Sequence, residues 1–127
     1  MGKQPLRLKV RLPQYETLRN EWKKKLHASI MTALKNKSVK YTADQKLELH
    51  ITLYFEQSHI RFHDVDNRLK DIMDALQGRM GGSKKEQLFE RLIPNDRQIY
   101  KVIIEKKKPP IQSHGLGHLE IRRYKET

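Results

Sequence analysis

Hydrophobic and polar residues alternate in two periods along the chain. Leu6, Leu8, Val10 and Leu12 alternate with Arg7, Lys9 and Arg11, which predicts a strand with one buried and one basic face, stopped by Pro13. From about residue 15 to 35 the period lengthens. Leu18, Trp22, Leu26, Ile30 and Ala33 or Leu34 recur every three or four positions and predict a helix with one apolar stripe. A polar connection over 36–44 leads to the clearest strand, where Leu47, Leu49, Ile51, Leu53 and Phe55 alternate with Glu48, His50, Thr52 and Tyr54. Leu69, Ile72, Met73, Leu76 and Met80 return to helical spacing, so a second helix is expected over about 66–80 with Asp66 at its N-cap. Gly78, Gly81, Gly82 and Ser83 close it, and 84–91 reads as a short helical turn before Pro94. The β-branched run 99–105 is expected as a strand buried on one or both faces, ended by a basic turn at Lys106, Lys107, Lys108, Pro109 and Pro110. Leu119 and Ile121, set against Glu120, Arg122 and Tyr124, predict a last short strand.

The resulting order is β-α-β-α-β-β, without an internal repeat. It predicts a single α+β domain over 1–127, a small mixed sheet with two helices on one face. At 127 residues the chain is long enough to bury one core. Composition then narrows the function. Twenty-seven Lys and Arg against fifteen Asp and Glu leave a formal charge of +12, which favours a polyanionic partner, nucleic acid first. The absence of cysteine excludes disulfides, Cys-ligated zinc, iron–sulfur clusters and thiol nucleophiles. No run reaches the roughly 20 apolar residues of a membrane span, and the N-terminus lacks the apolar core of a signal peptide, so the expected location is the cytoplasm.

Against this basic background, Asp64, Asp66, Asp71 and Asp74 crowd into one stretch with Lys70 among them. Carboxylates so close repel unless a cation or a shared proton offsets their charge. At about 100° per residue, Asp66, Lys70, Asp74 and Gln77 share one helix flank, beside the apolar stripe. Asp71 points elsewhere. Asp64 precedes the helix, and Asp96 lies in the loop entering the next strand, from which it can approach Asp64 and Asp66. Such an oxygen-rich set suits a hard divalent cation, magnesium first, with manganese as a substitute. Two metal motifs fail. A calcium loop starting at Asp64 has Leu69 where glycine is required and Ala75 where glutamate is required, and the pair His59 and His63 lacks the zincin glutamate. A purely structural alternative remains, in which Asp66 caps the helix and pairs with Lys70 while Asp71 and Asp74 are solvated.

The order Asp64-x-Asp66-Asn67-x-x-Lys70-x-x-x-Asp74-Ala75-Leu76, followed by Asn95-Asp96-x-Gln98-Ile99, resembles the RusA family of Holliday junction resolvases. The resemblance covers residues 64–99. It implies a RusA-like α+β subunit acting as a homodimer on branched DNA, with no small-molecule cofactor and with magnesium at the nicking site. By the same resemblance Asp64, Asp66 and Asp96 hold the metal, Lys70 is a catalytic cation and Asp74 an additional acidic member. The chain departs from the family at Asn95, where a second aspartate is usual, in the missing Pro- and Asn-containing motif after the first strand, and in a longer connection over 78–94. Lys23, Lys24, Lys25, Lys84, Lys85, Lys106, Lys107 and Lys108 are the expected contacts to the DNA backbone. The alternative is a basic nucleic-acid-binding protein without catalysis.

Overall fold

The computed structural model describes residues 7–13, 19–55, 65–80, 87–108 and 117–125. In chain order these form β1 (Leu8–Leu12), α1 (Arg19–Lys37), β2 (Leu47–Tyr54), α2 (Val65–Leu76), β3 (Arg79–Met80), β4 (Gln87–Leu88), a 3-10 turn (Asp96–Gln98), β5 (Ile99–Lys107) and β6 (Gly117–Arg123). The main sheet runs β1-β6-β2-β5. β6 is antiparallel to both β1 and β2, and β2 is parallel to β5, so the sheet is mixed as expected. Leu8, Val10 and Leu12, then Leu47, Leu49, Ile51 and Leu53, then Leu119 and Ile121 are buried. They form one core with Trp22, Leu26 and Ile30 of α1 and Ile72, Ala75 and Leu76 of α2. Both helices therefore cover one face. Trp22, fully buried, also donates its indole N–H to the Pro13 carbonyl at 3.2 Å, fixing the start of α1 to the end of β1.

The opposite face is polar. Glu48 and His50 meet at 2.5 Å, and Glu120 accepts from Arg7 at 2.8 Å and Arg122 at 2.5 Å. The cross-strand register sets Glu48 beside Arg122 and His50 beside Glu120, so acidic and basic side chains alternate over the strands. The His50 hydrogen bond lowers the Glu48 carboxyl from its usual range. The Arg122 guanidinium, aided by Arg7, does the same to Glu120.

Several expectations are corrected. α2 begins at Val65 and ends at Leu76, so Asp66 stands within the first helical turn, not at the N-cap, and Met80 belongs to a strand. The helix stops because Gly78 takes φ +73° and the Leu76 carbonyl accepts the Leu92 and Ile93 amides at 2.9 and 3.3 Å. The helical turn expected over 84–91 is replaced, among the described residues, by β4 pairing with β3. β5 continues through Lys107, so the lysines placed in a basic turn partly lie in the strand. Expected to be buried on one or both faces, β5 is instead an edge of the sheet among the described residues, with Tyr100, Val102 and Ile103 exposed. Leu18, and the extension expected at Ile60 and Phe62, lie outside the described residues. No helix of the described residues is long and apolar enough to cross a membrane.

Gly78→Ala tests the end of α2, since a Cβ there meets the Phe89 carbonyl in a backbone conformation that L residues rarely adopt. Its expected cost is at least about 2 kcal/mol in denaturant unfolding. Glu120→Gln tests the polar face at a cost of up to about 1 kcal/mol at neutral pH. Because the folded carboxyl titrates below its unfolded value, the contribution is full above that value and lost as pH falls through the lowered one. The stability gap between wild type and variant should therefore close as pH drops below the ordinary glutamate range.

Candidate functional site

α2 is amphipathic, and its inward positions decide which polar residues remain outside. Ile72, Ala75 and Leu76 enter the core, with Leu69 and Met73 packed against it. Asp66 and Lys70, one turn apart, stay exposed on the outer side. Asp74, one turn further, is drawn inward, where its carboxylate lies 2.8 Å from the Lys23 ammonium of α1. That lysine is only 7% exposed, so it serves inside the fold and not as an open phosphate contact. Its aliphatic stem lies in the helix interface while its head meets the carboxylate.

Asp71 does leave the exposed flank, as its helical position requires, but it is not solvated. It is fully buried, 3.5 Å from Arg68 of the same helix, and the Arg68 guanidinium stacks over the Trp22 ring at 5.5 Å. These two ion pairs replace the structural alternative in which Asp71 and Asp74 face water. Arg68 gave no sequence signal, because its buried position follows from packing on Trp22, a contact between separate helices.

Asp96 is exposed in the 3-10 turn that leads into β5. The turn is fastened by its neighbours. The Asn95 side chain accepts the Arg97 amide at 2.9 Å, and the Gln98 side chain accepts the Asn95 amide at 3.0 Å. Gln98 is buried and donates to the carbonyls of Thr42 and Gln45, both at 2.8 Å. A second glutamine, Gln77, donates to the Ile93 carbonyl at 3.1 Å and so joins the end of α2 to the segment approaching that turn. Asn95 thus has a capping task that its neutral side chain performs.

Asp64, Lys84 and Lys85, and the pair His59 and His63, lie outside the described residues. Among the described residues, no three of His, Asp and Glu are grouped to hold a metal ion. Of the other lysines, Lys25 and Lys108 are exposed, Lys24 is half-buried and 3.5 Å from Glu21, Lys106 is half-buried, and Lys107 is 3.4 Å from Glu105.

Lys23→Met leaves the Asp74 carboxylate partly buried without its cation, with an expected loss of about 2 kcal/mol. Asp74→Leu in the same background should restore part of that loss, because the stranded charge is gone. Urea unfolding of the two single variants and the double variant measures this coupling. No family model, curated protein or solved structure matches this chain.

Proposed function

We propose that this chain is a magnesium-dependent, structure-selective DNA endonuclease that resolves four-way junctions by paired symmetric nicks, as a homodimer, in recombination and repair. One observation carries the reading. The motif divides into members held inside the fold and members left at its surface: Ala75 and Leu76 are core, Asp74 is paired with Lys23 and Gln98 anchors a turn, whereas Asp66, Lys70 and Asp96 are exposed. Exposed polar residues of both signs, in a chain of charge +12, can meet a phosphate and its counter-ion.

The donor chemistry fits magnesium, which prefers oxygen and is commonly held by one or two carboxylates together with substrate phosphates, so a closed protein cage is unnecessary. Asp66 and Asp96, with Asp64 ahead of α2, would hold it. When bound, the ion supplies an acidified water and neutralises charge on the phosphoryl oxygens. Lys70 projects from α2 one turn beyond Asp66 and would offer its ammonium to the same phosphate as negative charge builds up. Asp74 is a positioning residue, keeping this flank of α2 fixed through Lys23. Lys24, Lys25 and Lys108 would meet the DNA backbone, with salt-sensitive affinity. A four-way junction has approximate two-fold symmetry, so a symmetric dimer would bring one site to each of two opposed strands.

The test is cleavage of a synthetic four-way junction. Wild-type protein should nick it with magnesium or manganese and not with chelator, and Asp66→Asn should lower the rate by about 100-fold or more. Binding without nicking, indifferent to magnesium and to branching, would replace this reading with that of a nucleic-acid-binding protein.

A further inference from the structure

Sheet edges are templates for further strands, and proteins commonly protect them by shortness or charge. β1, one edge, has five residues with Lys9 and Arg11 exposed. β5, the other edge among the described residues, differs. It has nine residues, and Tyr100, Val102 and Ile103 are 55, 36 and 43% exposed. These are the large hydrophobic residues that the described surface leaves exposed.

Register fixes what this edge presents. The Phe55 amide donates to the Lys107 carbonyl at 3.0 Å, so Lys107 directs its backbone polar groups toward β2. Pairing between β2 and β5 is uninterrupted from Lys101 to Lys107. Alternation then turns the backbone groups of Lys101, Ile103 and Glu105 inward, and those of Val102 and Ile104 outward. Side chains alternate as well. Lys101, Ile103 and Glu105 share the polar face with Glu48, His50 and Thr52, while Val102 and Ile104 share the core face with Leu49 and Ile51.

We infer that β5 pairs antiparallel with β5 of a second copy of this chain, about a two-fold axis through Ile103, joining two four-stranded sheets into one of eight. In this register Val102 and Ile104 exchange outward hydrogen bonds with Ile104 and Val102 of the other copy, extending the apolar face. The two Ile103 side chains meet at the axis. Lys101 of each copy faces Glu105 of the other, so opposite charges pair on both sides of the axis. Neighbouring registers are poorer. An axis at Ile104 sets Lys101 against Lys107, and one at Val102 sets Lys101 against Ile103 and Glu105 against Ile99. Glu105 already lies 3.4 Å from Lys107 and Lys101 lies beside Glu48, but the first of these pairs is exposed and exchanges partners at little cost. The strand is thus complementary to itself in charge and apolar contact. This pairing does not depend on nuclease activity.

Sedimentation equilibrium of the full chain, without DNA or metal, tests it. Wild type should reach twice 15.2 kDa. Lys101→Glu or Glu105→Lys alone places like charges opposite one another twice, and each should weaken dimerisation at least about tenfold. The double reversal should restore it. Ile103→Asp, with two carboxylates at the axis, should give a monomer whose thermal unfolding remains cooperative. A wild-type monomer across the concentration range, a dimer indifferent to the single reversals, or a double reversal no better than either single would overturn the inference.

Discussion

Lys23 and Asp74 meet across α1 and α2 at 2.8 Å, and the orientation of the second helix depends on that contact. An apolar stripe alone allows α2 to rotate or slide, since hydrophobic attraction has no direction. The ion pair removes this freedom on one side, and Arg68 over Trp22 removes it on the other. At the C-terminal end, the Leu76 carbonyl is held by the Leu92 and Ile93 amides and the Gln77 side chain reaches Ile93. With α2 fixed at three places, Asp66 and Lys70 keep their outward direction. A pair partly withdrawn from water costs desolvation, so its value lies in specifying one arrangement more than in net stability.

The same division runs through the segment after Pro94. Asn95 and Gln98 close the 3-10 turn on itself and tie it to the loop before β2, leaving Asp96 on the outside. An aspartate at position 95 could cap the turn equally well. The Asn caps the turn without adding a negative charge beside Asp96. A neutral cap spares Asp96 the repulsion that a second carboxylate at the turn would add.

The strands, their order along the chain and the helices were legible wherever period and burial coincide. Leu8 to Leu12, Leu47 to Leu53 and Trp22 to Ile30 are buried at the positions their spacing implies. The reading failed where distant contacts decide. Met80 keeps helical spacing, but the turn at Gly78 takes the chain into a strand pair. The β-branched Ile99 to Glu105 run suggested a strand buried on one or both faces, yet its exposure at the sheet edge follows from topology, which composition does not encode. At the candidate site, the helical flank of Asp66 and Lys70 was readable from angle alone. The partner of Asp74 was not, because Lys23 is 51 positions away and its charge suggested solvent.

Nuclease chemistry at this surface requires that the exposed carboxylates of α2 and the 3-10 turn hold a divalent cation. The most direct measurement is the thermal unfolding midpoint of metal-stripped protein as magnesium is added, for wild type and Asp66→Asn. Binding to the folded state predicts a midpoint that rises with magnesium in wild type and stays level in the variant. A wild-type midpoint indifferent to magnesium, or an equal rise in both proteins, would contradict it.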